Sequence, residues 1–206
     1  MTGRRQFLRV GFTATAWPLV ARATHATGID TVATPLLGVV YDTRLNESVA
    51  FAERSAALGL RTLAIDGDMT RLWYDEIYHR WQHGPTALAG LTAHGPLFCF
   101  AELARDVRMR VVFHAEHRAS GGGVVAHTFT GPAPMLADAL TACGRPDSLW
   151  TTMADVVARC PNGRTEIATA GRTTAGTGVR EIRPLTAAPP DVGPLYTWVI
   201  APATKA

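Results

Sequence analysis

The stretch LLGVVYDTRLNESVAFAERSAALGLRTLAIDGD, residues 36–68, decides the fold class of this chain. Its first six residues are a short apolar run that is typical of a buried strand, and residues 62–65 form a second such run. Between these runs, residues 47–58 carry apolar side chains at helical spacing, and Gly59 can end that helix. The stretch therefore predicts a strand, a helix and a second strand in succession.

The same alternation continues along the chain. A helix is predicted over residues 70–82, a strand over 87–91, a helix over 96–106 and a strand over 110–113. Strands that alternate with helices of this length are typical of a parallel sheet with crossover helices. We therefore expect a Rossmann-like or flavodoxin-like α/β domain of three layers, with a mostly parallel sheet of about four to six strands.

The pattern changes after residue 117. A glycine-rich turn at residues 121–123 leads into further predicted elements, which are strands at 124–129 and 195–200 and helices at 134–143 and 147–160. Residues 161–194 are rich in Gly, Pro, Thr and Ala, which favours an extended segment. We expect an α/β domain over residues 27–160 and an extended C-terminal segment over 161–206, whose closing strand can return to the sheet edge.

The N-terminus has the parts of an export signal. Residues 2–9 are Thr-Gly-Arg-Arg-Gln-Phe-Leu-Arg, residues 11–21 are mostly apolar, and small residues surround His25. Residues 1–26 resemble a twin-arginine (Tat) signal peptide, whose pattern is Ser/Thr-Arg-Arg-x-Phe-Leu-Lys. The resemblance implies that the Tat translocase exports the folded domain to the periplasm or the medium, after cleavage behind Ala26. The alternative is a basic amphipathic first helix of the domain itself.

The charge balance argues against nucleic acid as a partner, and the hydropathy argues against a membrane-spanning segment. The chain has 20 basic and 17 acidic residues, a net charge of +3. Four arginines lie within residues 1–26 and no acid does, so the remainder has 16 basic and 17 acidic residues, a net charge of −1. This balance gives no basic excess for binding nucleic acid. No later segment reaches the roughly 18 consecutive apolar residues of a membrane span.

Polar side chains follow each of the four strands in the alternating region. In a parallel sheet these strand ends lie at one edge, where open α/β sheets bind ligands. The candidates for acid–base catalysis are Asp66, Asp68, His94 and His114. The candidates for ligand binding are Asp42, Thr43, Gly67, Thr92 and Gly95. The alternative is that Asp42, Asp68 and Thr92 cap the helices that follow them.

Residues 114–117, His-Ala-Glu-His, are candidate metal ligands. Imidazole and carboxylate groups bind zinc, iron or copper, so His114, Glu116 and His117 form a candidate metal site. On a regular strand, however, alternation sends His117 to the opposite face from the other two side chains. The hypothesis therefore needs a turn after residue 113.

The helix predicted over 70–82 is rich in aromatic residues. Trp73, Ile77 and Trp81 lie at helical spacing and are expected to pack on the sheet, with Tyr74 and Tyr78 on the flank. Core packing is the default interpretation of such a stripe, and a partner interface is the alternative.

The cysteines suggest little chemistry. Cys99 lies among apolar residues and is expected to be buried, while Cys143 and Cys160 could form a disulfide in an oxidising compartment.

Two classes of function follow from these observations. The first is an exported accessory subunit or ligand-binding module, which could travel with a partner subunit of a redox system. The second is a small periplasmic hydrolase or metal-dependent enzyme that uses the aspartates and histidines at the strand ends. The chain has no Gly-x-Ser-x-Gly or Walker motif, its first strand–helix junction lacks the dinucleotide-binding fingerprint, and no motif identifies a cofactor, which favours the first class.

Overall fold

The computed structural model describes residues 35–84, 86–120, 124–143, 149–159, 171–175 and 193–202. The predicted signal at residues 1–26, the glycine turn at 121–123 and Cys160 lie outside these residues. Within them, no helix is long and apolar enough to cross a membrane.

The chain forms alternating strands and helices, so the predicted α/β class is confirmed. The strands are β1 (Leu36–Asp42), β2 (Thr62–Ile65), β3 (Ala87–Ala93), β4 (Met109–Ser120), β5 (Val124–Gly131), β6 (Gly171–Ala175) and β7 (Leu195–Pro202). The helices are α1 (Asn46–Ala57), α2 (Thr70–Leu72), α3 (Tyr78–His83), α4 (His94–Asp106), α5 (Ala133–Cys143) and α6 (Leu149–Arg159). A π-helical segment at Trp73–Ile77 joins α2 to α3.

The sheet is mixed, and the expectation of a mostly parallel sheet is wrong. Its seven strands have the order β2-β1-β3-β7-β4-β5-β6. Only β1–β2 and β1–β3 pair in parallel, while the other four pairings are antiparallel. The sheet is mixed because β7 lies between β3 and β4 and runs antiparallel to both of them, and because β5 runs antiparallel to β4. The closing strand β7 therefore lies inside the sheet and not at its edge.

Helices cover both faces of the sheet and form two separate apolar cores. Alternation along β1 shows the division, because Val39 faces one core and the adjacent Val40 faces the other. The first core contains residues of α1, α5 and α6, including Phe51 and Met153. The second contains residues of the α2–α3 region and of α4, including Phe100.

The aromatic helix packs as the spacing predicts. Trp73, Ile77 and Trp81 are buried in the second core, and the Trp81 indole N–H donates to the carbonyl of Thr86 over 3.0 Å. Tyr74 and Tyr78 are 64% and 41% exposed. The stripe is therefore core, and the two tyrosines are its solvent-facing flank.

Candidate functional site

A groove between α4 and β4 is a candidate site formed by described residues. It has a volume of about 630 Å³, and its walls come from α4, from the first half of β4 and from residues 130–132. The middle of the groove is apolar and includes Leu97, Ala101 and Val112. We call it the α4–β4 groove. Concave, mostly apolar sites of this size are where proteins bind small molecules.

Two predicted catalytic residues, His94 and His114, meet at one end of this groove. His94 is the first residue of α4, and His114 lies in β4. Both imidazoles contact the ring of Tyr196 in β7, with ring centroids 5.6 Å and 5.2 Å away respectively. His94 also stacks on Phe98, one helical turn further along α4, with centroids 6.0 Å apart. The rings of His94, Phe98 and His114 line the aromatic end of the α4–β4 groove, and Tyr196 contacts the two imidazoles without lining the groove.

Tyr196 is a neutral group in this cluster. Burial raises the pKa of its phenol above the usual value, and the nearby Glu116 carboxylate raises it further, while Arg118 lowers it. Because the side chain is almost completely buried, its ring is a fixed platform between the two imidazoles.

The other end of the groove is cationic. Arg105 from the last turn of α4 and Arg110 from the start of β4 line it. The Arg105 guanidinium pairs with Glu102 over 2.7 Å. Among the described residues, Arg110 has no ion-pair partner, so its charge is not compensated within the groove.

The predicted carboxylates lie elsewhere. Asp66 and Asp68 follow β2 and line a separate, shallower groove that also contains Arg71 and Asp75. The Asp68 carboxylate accepts the backbone N–H of Thr70 over 2.8 Å, and hydrogen bonds from Thr70 lower its pKa. Asp68 therefore caps the turn that begins α2, as the capping alternative predicts. The predicted convergence of all four strand ends on one site is wrong for these two residues.

The remaining strand-end residues have structural partners. The buried Asp42 carboxylate accepts two hydrogen bonds from the Arg44 guanidinium, at 3.0 Å and 2.8 Å, and that guanidinium lies directly over Gly67. Gly67 has a φ of 96°, and a Cβ atom there would be 2.1 Å from Arg44, so this position favours glycine. The hydroxyl of Thr43 donates to the carbonyl of Ile65 over 3.1 Å.

Two more predicted ligand-binding residues flank the aromatic end without facing the groove. Thr92 is buried, and its hydroxyl accepts the Trp198 indole N–H over 3.1 Å. Gly95 is exposed in the first turn of α4.

His117 forms a buried pair with His127 on the opposite face of the sheet. Their Nδ1 atoms are 2.8 Å apart, so one imidazole donates a proton to the other, and His117 Nε2 is 2.9 Å from the hydroxyl oxygen of Thr197. The rings of Phe129 and Trp150 enclose the pair. Burial lowers the pKa of His127 to about 4. Burial and then the neighbouring imidazoles hold the pKa of His117 well below its usual value.

The candidate metal ligands are not brought together. β4 continues past residue 117 to Ser120 because it pairs with both β5 and β7, so no turn follows Phe113. Alternation then places His114 and Glu116 on the α4 side and His117 on the other side. Among the described residues, no group of three or more His, Cys, Asp or Glu side chains could hold a metal ion.

Of the two described cysteines, Cys99 contradicts its prediction, which was that it is buried. Cys99 is exposed, because α4 turns Leu97 and Phe100 toward the sheet and leaves Cys99 on its outer side. Cys143 is partly buried, and burial raises the pKa of its thiol to about 12. That thiol is therefore a poor nucleophile.

Sequence reasoning did not identify Tyr196, Arg110 or Phe98 as site residues. Tyr196 is a predicted strand residue whose neighbours depend on the strand order. The signal that could have found Phe98 is helical spacing, since it lies one turn after His94.

No protein-family model, no curated protein and no solved structure matches the chain.

Proposed function

We propose that this protein is an exported ligand-binding module whose binding site is the α4–β4 groove. The single observation that carries the proposal is the groove itself, an apolar concavity of about 630 Å³ with polar groups confined to its two ends. A small number of polar groups in an apolar site fixes the orientation of a bound ligand, and this does not require the protein to catalyse a reaction of that ligand.

The location of the protein is part of the proposal. The resemblance of residues 1–26 to a Tat signal supports export of a folded domain to the periplasm or the medium, where the module could serve as an accessory subunit of a redox system. We further propose that the parallel strands β2-β1-β3 and their helices are a Rossmann-like unit within the mixed sheet.

Binding is favoured over hydrolysis because the acid–base candidates are divided between two grooves. Asp66 and Asp68 are exposed at the β2 edge, whereas His94 and His114 lie in the α4–β4 groove. The hydrolase hypothesis combines Asp66 or Asp68 with His94 or His114 as acid–base groups, which must act on the same bound substrate. The aspartates and the histidines line different grooves, so they cannot act together on one substrate.

The proposal is tested with a neutral fluorescent probe, N-phenyl-1-naphthylamine, which needs only an apolar groove. The variant A101F places a phenyl ring in the middle of the groove, and A57F adds the same ring at the exposed end of α1. We expect the wild type and A57F to bind one probe molecule and A101F to lose at least about tenfold in affinity. Equal binding by all three proteins would contradict the proposal.

Hydrolysis remains the second candidate because His94 and His114 both contact Tyr196. It predicts turnover of a simple ester such as 4-nitrophenyl butyrate that falls in H94A and in H114A. The binding module predicts the same background rate in the wild type and both variants.

A further inference from the structure

The α4–β4 groove differs in chemistry from one end to the other. Its aromatic end contains His94, Phe98 and His114, and its cationic end contains Arg110. The inference drawn from this difference rests on the proposed function, because it concerns the ligand of the same groove.

The length of the groove follows from the register of β4. Arg110 is opposite Ala201 of β7, and His114 is opposite Trp198. A bulge between Val111 and Phe113 makes these four steps of β4 match three steps of β7, so the two positions lie about 10 Å apart along the sheet. Because α4 begins at His94 and ends beside Arg105, its two ends match the same two ends of the groove. A ligand that occupies both ends must be elongated.

The cationic end selects the charge of the ligand. Arg105 is neutralised by Glu102, whereas Arg110 lacks an ion-pair partner among the described residues. A guanidinium binds a carboxylate through two parallel hydrogen bonds, which favours one carboxylate at this position. Because Glu102 also lines the groove, a second negative charge on the ligand would be repelled.

The aromatic end selects the body of the ligand. The Phe98 ring is 54% exposed although it lies in the groove wall, and it stacks on His94. An aromatic ring of the ligand would cover this exposed surface and gain ring–ring contacts with both side chains. The apolar middle, with Leu97, Ala101 and Val112, has no described charge to pair with, so it fits an alkyl chain.

We propose that the α4–β4 groove binds an aryl-alkyl monocarboxylate, with the ring at the aromatic end and the carboxylate on Arg110. The alkyl chain spans the apolar middle of the groove. Aliphatic carboxylates without a ring and neutral aromatic compounds are the competing ligand classes.

Titration calorimetry with three probes tests this assignment. The probes are 6-phenylhexanoate, the neutral 6-phenylhexan-1-ol, and hexanoate, which lacks the ring. We expect 6-phenylhexanoate to bind most tightly, by about tenfold over the alcohol, because the charge-assisted hydrogen bonds to Arg110 are lost with the carboxylate.

Two arginine variants assign that preference to the groove. R110Q is expected to bring the acid down to the affinity of the alcohol and to leave the affinity for the alcohol unchanged. R71Q removes an arginine that is 94% exposed and pairs with Asp75 outside the groove, and it is expected to bind all three probes as the wild type does.

The possible outcomes show whether the assigned ligand class or the proposed function is wrong. If the alcohol binds as tightly as the acid, or hexanoate binds as tightly as 6-phenylhexanoate, the groove is a site but the assigned ligand class is wrong. If R110Q keeps the preference for the acid, the assignment of the carboxylate to Arg110 is wrong. If none of the three probes binds although N-phenyl-1-naphthylamine does, the ligand class is wrong and the proposed function stands. If N-phenyl-1-naphthylamine does not bind either, the proposed function fails together with the inference.

Discussion

At the scale of single residues, the buried His117–His127 pair makes stability depend on pH. Both imidazoles have a pKa below the usual 6.5, that of His127 at about 4, so the unfolded state binds protons at a higher pH than the folded state does. The stabilisation is complete above about pH 6.5 and is lost as the pH falls toward 4. A shift of this size for His127 corresponds to about 3 kcal/mol.

This prediction is checked by urea unfolding between about pH 7.5 and pH 4.5. H127Q keeps a donor for His117 Nδ1 and removes one titrating group, so its stability should fall less steeply than that of the wild type. H79Q, at an exposed histidine, is the matched control and should follow the wild-type curve. Parallel curves for the wild type and H127Q would show that the pair does not titrate as described.

The hydroxyl of Ser48 is a second residue on which stability depends. It accepts the backbone N–H of Asp42 over 2.8 Å and donates to the carbonyl of Leu91, and all three groups are buried. S48A leaves a buried donor and a buried acceptor without this partner, so we expect a loss of about 2 kcal/mol in the free energy of unfolding.

The matched control is S55A in the same helix. The buried Ser55 hydroxyl donates only to the carbonyl of Phe51, which also accepts a helical backbone bond. Its loss should cost less than about 1 kcal/mol. A smaller cost for S48A than for S55A, measured by chemical unfolding, would contradict the role given to Ser48.

At the scale of elements, Gly90 sets the distance between β1, β3 and β7. A Cβ atom at this position would be 2.6 Å from the indole of Trp198 and 2.8 Å from the carbonyl oxygen of Val40. We expect G90A to destabilise the protein by about 1–3 kcal/mol, because neither the buried indole nor the backbone can move freely.

Gly95 provides the comparison for Gly90. It lies in the first turn of α4, and a Cβ atom added there would meet no other atom within 4 Å. G95A should therefore leave the stability unchanged or raise it by up to about 1 kcal/mol. Thermal unfolding of the two variants distinguishes them. Equal melting temperatures would show that the packing around Gly90 is looser than described.

Most of the elements were predictable, but β6, the length of β4 and the order of the strands were not. Local periodicity indicates β1, α1 and β2 because apolar spacing reports which side of an element is buried. It carries no information on which strands pair. β7 lies between β3 and β4, about 100 residues after β3, and this pairing depends on contacts that are distant in sequence.

The candidate site was predictable only in part for the same reason. His94 was found because it directly follows β3. His114 was found because the apolar run that predicts its strand ends at residue 113, although β4 itself continues to Ser120. Tyr196, which brings them together, enters only when β7 is placed between their strands. Asp68 lies away from His114 because it follows the edge strand β2, and β1, β3 and β7 lie between β2 and β4. Its carboxylate instead accepts the backbone N–H of Thr70.

At the scale of the whole molecule, export is the first property to test. If residues 1–26 are a Tat signal, the double variant R4K/R5K should remain in the cytoplasm because the translocase recognises the paired arginines. The measurement is the fraction of the protein in the periplasm of a Tat-competent bacterium. R22K, which changes a signal arginine outside the pair, is the control and should be exported normally. Unimpaired export of R4K/R5K would contradict the Tat assignment.

Our central proposal is that the protein binds its ligand in the α4–β4 groove. The most direct measurement is a map of backbone amide chemical-shift changes as 6-phenylhexanoate is added to the labelled protein. We predict that the largest changes fall on α4 and the first half of β4, at Phe98, Ala101 and Val112. Saturable changes confined instead to the β2 edge, around Asp66 and Asp75, or no saturable change at all, would contradict the claim.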